Sequence, residues 1–227
     1  MRYDLIIFDN DGVLVDSEPI SNRILADYLT ELGHPTTYED SIRDYMGSAM
    51  HRIHEIVMER SGQRLPDDFD DGFHARVFEA FHRQLEPVPG VVGVLEKLAG
   101  DAVPYCVASS GTHERIRVAL SKTGLLEKFG LEKFGAEGVH GGGDNRIFSS
   151  QDVGRGKPAP DLFLHAAEQM GVSPERCAVV EDSPLGVQGA LDAGMDVYGF
   201  TAMTPAAKLA GAVAHFSDMT ELPQLLA

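Results

Sequence analysis

The chain has 227 residues, 43% hydrophobic and 24% charged, which is ordinary for a globular protein and enough for one α/β domain, or one domain with a smaller insert. Its 19 Lys+Arg against 35 Asp+Glu give a net charge of −16 with no basic cluster, so nucleic acid is not an expected partner. No run approaches the roughly 18 continuous apolar residues of a membrane span, so a membrane is not expected either.

From the N-terminus, Leu5 to Phe8 is a short apolar run of strand length that ends in acidic residues. With Asp4 and Asp9 at its edges it is too short and too acidic for a signal peptide, so the expected compartment is the cytoplasm. The stretch from Asp16 to Glu86 has helical periodicity and no convincing strand. Ile20, Ile24, Leu25, Tyr28, Leu29 and Leu32 predict a helix stopped by Gly33. A second is predicted from Ser48 to Arg60, and a third after Asp67-Asp68-Phe69-Asp70-Asp71, through Phe73, Val77, Phe78 and Phe81. Pro87-Val88-Pro89-Gly90 marks the return from this insert. Further strands are predicted at Tyr105 to Ala108, Arg146 to Phe148, Ala178 to Val180 and Val197 to Phe200, separated by helical patterns such as Leu162 to Met170 between Pro160 and Gly171.

Alternating strands and helices predict an α/β fold with a doubly wound, parallel, Rossmann-like sheet and an inserted α-helical subdomain. The predicted boundaries are 1–15 and 88–227 for the core and 16–87 for the insert. Leu126 to Gly130 and Leu131 to Gly135 repeat one pentapeptide and are followed by the glycine run at 141–143; this predicts a lengthened surface loop without chemistry. Cys106 and Cys177 sit in or beside apolar runs and read as small buried side chains.

In doubly wound sheets ligands bind beyond the carboxyl ends of the strands, so the residues that follow each strand matter most. The first strand ends in Asp9-Asn10-Asp11-Gly12-Val13. Two carboxylates so close beyond a buried strand repel one another, and a hard divalent cation removes that cost. Gly12 lets the chain turn and brings N–H groups towards an anion. The second ends in Ser109-Ser110-Gly111, where a hydroxyl and free N–H groups suit a phosphate oxygen, although either serine could simply cap the next helix. Lys157, fixed between Gly156 and Pro158, could reach a phosphate as a point charge or lie on the surface. Glu181-Asp182-Ser183-Pro184 adds a second acidic pair that could complete a metal shell, with Asp182 or Ser183 open as a helix cap.

In this order and at these places, the four motifs resemble those of the haloacid dehalogenase superfamily, over nearly the whole chain. Asp9 to Glu18 and Glu181 to Gly186 resemble its β-phosphoglucomutase-like branch, and the helical insert resembles that family's small cap. The resemblance implies an enzyme, a phosphoric monoester hydrolase acting on a small phosphorylated metabolite such as a sugar phosphate or sugar-acid phosphate. It implies Asp9 as nucleophile, giving an aspartyl-phosphate, and Asp11 as acid and base. It implies Mg²⁺ held by Asp9, the main-chain carbonyl of Asp11 and Asp182, with Glu181 as a partner through water. Ser109, Ser110 and Lys157 would hold the phosphoryl group. Ser17, Glu18, Asn22 and His113 fall where family members place substrate-facing residues. Arg52 could approach the site, but a solvated helix face is the expected place for it. A closing cap would exclude water, with hinges near Ser17 and the 87–89 segment. A monomer is expected, with a dimer left open.

Other chemistries of the family fit less well. Dehalogenases lack a carboxylate at the place of Asp11, and phosphonate hydrolases need a cap lysine, whereas the first lysine here is Lys97. Sugar-phosphate mutases, the main alternative, carry an arginine in a Gly-Val-Ser-Arg cap loop and a lysine after the second motif. Here the corresponding residues read Gly47-Ser48-Ala49-Met50 and Gly111-Thr112-His113, so hydrolysis is preferred. A receiver-like phosphoacceptor fits the Asp9/Asp11 spacing and the insert poorly, and an inactive binding protein would not require Asp9, Asp11, Lys157 and Asp182 together.

Overall fold

The structure, a computed structural model, describes residues 2–46, 48, 50–130 and 146–227. Along the chain run β1 (Leu5–Phe8), α1 (Glu18–Glu31), α2 (Tyr38–Asp44), α3 (Met50–Ser61), α4 (Phe69–Gln84) and α5 (Val91–Gly100). Then follow β2 (Tyr105–Ser109), α6 (His113–Lys122), β3 (Ile147–Ser149), α7 (Asp161–Gln169) and β4 (Cys177–Glu181). The chain closes with α8 (Pro184–Asp192), β5 (Asp196–Phe200), β6 (Ala214–Phe216) and α9 (Leu222–Leu225). Two compact units emerge, Met1–Asp16 with Glu86–Ala227, and Ser17–Leu85.

In the first unit six parallel strands form one sheet in the order β3-β2-β1-β4-β5-β6. This is the doubly wound Rossmann order, and its direction of winding reverses between β1 and β4. β1, β2 and β4 are buried along their whole length, because parallel strands covered on both faces need apolar side chains at every position. Leu5, Ile7, Cys106, Ala108 and Val179 point one way, into a cluster with Leu162, Phe163 and Ala166 of α7 and Val187 and Ala190 of α8. Ile6, Phe8, Tyr105 and Val107 alternate to the other face and are buried as well. Each fully buried Ile, Phe or Val stabilises the fold by about 1.5–3 kcal/mol. Cys106 and Cys177 are buried free thiols. Phe8 pairs with Val107 and Val180, so Asp9 emerges level with Ala108 and Glu181.

The second unit packs α1 to α4 around Leu25, Leu29, Ile53, Val57, Phe69, Val77 and Phe81. Tyr28 stacks on Phe69 with ring centroids 5.1 Å apart. That stack runs close to α4: a Cβ on Gly72 would lie 2.5 Å from the Tyr28 hydroxyl, so α4 carries glycine there.

Several elements differ from the expectations. α2 and α5 were not anticipated: α2 buries only Ser41 and so shows no apolar stripe, while Gly93 and Gly100 obscure α5. β6 is a three-residue edge strand with one buried side chain, too short for a pattern. β3 begins at Ile147 rather than Arg146, whose carbonyl already accepts from Val107 N–H at 2.8 Å. α3 begins at Met50. Of the repeated pentapeptide, Leu126–Phe129 is a 3₁₀ turn closed by Gly130 at φ 82°; the second copy and the glycine run lie outside the described residues.

Candidate active site

The loop after β1 is built by its backbone. Asp9 N–H still donates to the β4 carbonyl of Val180 at 3.0 Å, which continues the ladder by one residue. The chain then turns, with Leu14 and Val15 N–H both on the carbonyl of Asn10 and Gly12 N–H on Val15. Gly12 sits at φ 78°, the left-handed region that glycine enters without strain.

Around Asp9 the structure gathers charges that water would otherwise keep apart. Lys157 Nζ donates to Asp9 Oδ1 and to Glu181 Oε1, both at 2.6 Å, with the Lys157 side chain 4% exposed and that of Glu181 0%. The ammonium also lies 5.0 Å from the Phe163 ring centroid, an apolar wall that fixes its approach. Glu181 Oε2 accepts from both the N–H and the hydroxyl of Ser183 at 2.9 Å. Ser183, not Asp182, caps α8 by accepting from Gly186 N–H. Glu181 packs so tightly against α8 that a Cβ on Gly186 would fall 1.7 Å from its carboxylate.

One carboxylate oxygen each from Asp9, Glu181 and Asp182 lies within 4.8 Å of the others, and all three residues are buried. Three buried carboxylates against one ammonium leave excess negative charge. Burial, opposed by Lys157 and helped by Glu181 and Asp11, pushes the Asp9 carboxyl up to about 7. Burial alone would discharge Lys157, but Asp9 and Glu181 outweigh it and hold the ammonium above its usual range. Hard carboxylate oxygens around an excess of negative charge fit Mg²⁺. Asp9 and Asp182 are the better donors, because both oxygens of Glu181 already accept from Lys157 and Ser183.

Asp11 stands outside this acidic trio. Its Oδ1 accepts from Arg115 on α6 at 2.9 Å and its Oδ2 from Asn10 Nδ2 at 3.3 Å. Nothing in the sequence pattern singled out Arg115. The available signal was its place on the first turn of the helix after Ser109-Ser110-Gly111, 104 residues from its partner.

At the end of β2, Ser109 is buried and its hydroxyl accepts from Gly111 N–H at 3.1 Å, whereas Ser110 is exposed. Neither caps α6; Thr112 does, accepting from Arg115 N–H. The loop is stitched to the turn after β3. Ser149 and Ser150 hydroxyls donate to the carbonyls of Gly111 and Ser110 at 2.6 and 2.7 Å. His113 N–H donates to Gln151 Oε1, and the His113 ring meets Asp152 at 2.7 Å. Partial burial works against the Asp152 carboxylate, yet His113 and the Ser149 N–H hold it below its usual range.

The remaining candidates lie in the helical unit. Ser17 and Asn22 are buried. Asn22 donates to the carbonyl and carboxylate of Glu18 and accepts from Ser41 at 2.9 Å, tying α1 to α2. Arg52 is exposed and paired with Glu55 and Glu59 on its own helix face.

A family model described as haloacid dehalogenase-like hydrolase matches residues 3–194. The 6-phosphogluconate phosphatase of Escherichia coli K12 is 31% identical over 227 residues, covering 99% of this chain and 95% of that protein. Among solved structures, a conserved haloacid dehalogenase-like protein from Agrobacterium tumefaciens is 36% identical, with a TM-score of 0.85 over 99% of this chain and 97% of that one. A haloacid dehalogenase family hydrolase from Deinococcus radiodurans, crystallised with bound phosphate and sodium, is 30% identical, with a TM-score of 0.79 over 100% and 96% of the two chains.

Proposed function

The chain belongs to the haloacid dehalogenase-like hydrolases, and from that premise we propose that it is a magnesium-dependent phosphatase of sugar phosphates or sugar-acid phosphates that works through an aspartyl-phosphate on Asp9. The observation that carries this reading is Lys157 wedged between Asp9 and Glu181 beside Asp182, a buried, charged floor at the sheet's switch point. Such a floor suits phosphoryl transfer, where positioning and charge supply most of the catalysis.

On this reading an Asp9 oxygen attacks phosphorus as the bond to the leaving oxygen breaks. Asp11 gives its proton to the leaving alkoxide, then takes one from the water that attacks the aspartyl-phosphate. Lys157 keeps Oδ1 of Asp9 in place and, with the Ser109 hydroxyl and the N–H groups of the Ser110 segment, offsets charge on the phosphoryl oxygens. Asp9, Asp182 and the main-chain carbonyl of Asp11 would hold Mg²⁺, with Glu181 as a more distant partner. When bound, the ion supplies positive charge to the phosphoryl oxygens and removes the repulsion among the acids. The helical unit, as the family's cap, would select the substrate. A sugar-acid phosphate is the favoured class because the Escherichia coli relative is a 6-phosphogluconate phosphatase that spans nearly the whole chain.

The test is phosphate release from a panel containing 6-phosphogluconate, hexose phosphates and 4-nitrophenyl phosphate, with Mg²⁺ or with EDTA, for wild type and Asp9→Asn. Release that needs Mg²⁺ and vanishes in the variant supports the reading. Isomerisation of a sugar phosphate in the presence of a bisphosphate primer, without net release, would replace it by a mutase.

A further inference from the structure

We infer that Arg115 is a positioning residue for the reaction, holding the Asp11 carboxylate in the one orientation from which it exchanges protons with the leaving group and with water. The inference rests on the reading of Asp11 as acid and base given above. Its own basis is the geometry. The guanidinium donates to Oδ1 at 2.9 Å, and Asn10 donates to Oδ2 at 3.3 Å, so each carboxylate oxygen meets its own donor. The charged contact is the shorter, and charge-assisted bonds are about twice as strong as neutral ones.

The arginine is itself held in place. Its N–H caps onto Thr112 Oγ1 at 3.2 Å. Its stem packs along the loop, with Cδ at van der Waals distance, 3.4 Å, from where a Cβ on Gly111 would be. The loop is fixed in turn by Ser149, Ser150 and Gln151. An arginine anchored on the second motif thus sets a rotamer on the first, across 104 residues of sequence. Both side chains are only about one-fifth exposed, 23% for Arg115 and 22% for Asp11, unlike the open surface pairs elsewhere in the molecule. Without Arg115, Oδ1 loses its charged donor and the orientation of the Asp11 carboxylate is less tightly set. Misplacing a catalytic group by about 1 Å costs on the order of 100-fold in rate.

The experiment measures first-turnover release of the leaving group for Arg115→Met, Arg115→Lys and Asp11→Asn, with Mg²⁺ present. Two substrates are compared: the sugar phosphate turned over fastest in the panel above, whose alkoxide needs a proton, and 4-nitrophenyl phosphate, whose phenolate leaves without one. The expected result for Arg115→Met is a loss of roughly 10- to 100-fold with the sugar phosphate, mainly in kcat, and near wild-type release with the aryl ester. Arg115→Lys recovers part of the loss. Asp11→Asn shows the same dependence on leaving group, more strongly. Equal losses for both substrates in Arg115→Met would mean general damage to the loop, and no loss for either would mean a surface ion pair; each overturns the inference while leaving Asp11 as the acid. No dependence on leaving group in Asp11→Asn overturns the role of Asp11, and this inference with it.

Discussion

The ion pairs of the helical unit and those of the sheet's floor obey opposite rules. In the helical unit Arg52 meets Glu55 and Glu59, Arg43 meets Asp40 and Asp44, and Arg83 meets Glu79 within one or two helical turns, while Arg60 meets Asp44 and Arg76 meets Glu31 between helices; the arginine of each pair is at least 45% exposed. Water screens such pairs, and they add little to stability. In the floor, Lys157 reaches Asp9 across 148 residues of sequence and Glu181 across 24, with almost no exposure to solvent. Bringing those charges out of water costs more than their attraction returns unless each is fully paired. A protein keeps such an arrangement for its chemistry, and the floor is where the sheet's winding reverses.

The largest departure from this comparison is expected for Lys157→Met. It removes the ammonium that pairs Asp9 and Glu181, so the metal-free protein should lose about 3–5 kcal/mol in denaturant unfolding. Phosphatase turnover should fall by at least roughly 100-fold. Near-normal stability and turnover would place Lys157 among the surface-type charges instead.

Gly186→Ala follows. The new methyl would meet the Glu181 carboxylate at 1.7 Å, and Glu181 cannot yield without dropping Lys157 or Ser183. Overpacking of this kind costs about 1–3 kcal/mol, and turnover should fall with it. Gly72→Ala in α4 faces a milder clash, 2.5 Å from the Tyr28 hydroxyl, and should lower the melting temperature by less while sparing turnover. Loss of turnover in both would erase the distinction between the two regions.

Third is a dependence on pH. Asp9 has a folded pKa of about 7 against an ordinary 3.8, so between those values the folded state binds more protons than the unfolded one. Stability of the metal-free protein should therefore fall as pH rises from about 4 to about 7 and gain nothing from this group above that. Asp9→Asn removes the charge, so in EDTA it should be more stable than wild type by about 1–4 kcal/mol at pH 8, and by less at pH 5. Equal melting curves at both pH values would mean that burial does not strain this carboxylate.

The smallest effect belongs to Arg52→Ala, which should change neither melting temperature nor turnover, because the arginine is exposed and paired along its own helix. A selective rise in KM for the sugar phosphate would instead make Arg52 a substrate contact.

Much of the floor is legible in the sequence because its residues follow buried strands, and parallel strands announce themselves as continuous apolar runs. Leu5 to Phe8 and Ala178 to Val180 read as such runs, which places Asp9 and Glu181 at strand ends. What the pattern could not convey is the pairing. Glu181 reads as a water-mediated metal partner, and no local pattern conveys that its two oxygens also accept from Lys157 and Ser183. Arg115 leaves no mark in the sequence because its partner is 104 residues away and only the turn of α6 aims it at Asp11. α2 escaped for a different reason: a helix that buries one serine has no hydrophobic period to detect. The Thr37–Asp40 capping box was its sole local signature.

On the proposed reading Asp9 itself carries the phosphoryl group. The direct measurement is to mix enzyme, Mg²⁺ and the fastest substrate, quench within the first turnover, reduce any acyl phosphate with borohydride and map the product by peptide mass spectrometry. The expected result is reduction of residue 9 to homoserine, in amounts that rise in Asp11→Asn with 4-nitrophenyl phosphate, whose phenolate leaves without a proton while the attacking water lacks its base. An unmodified Asp9 during active turnover, or reduction at another carboxylate, would contradict it.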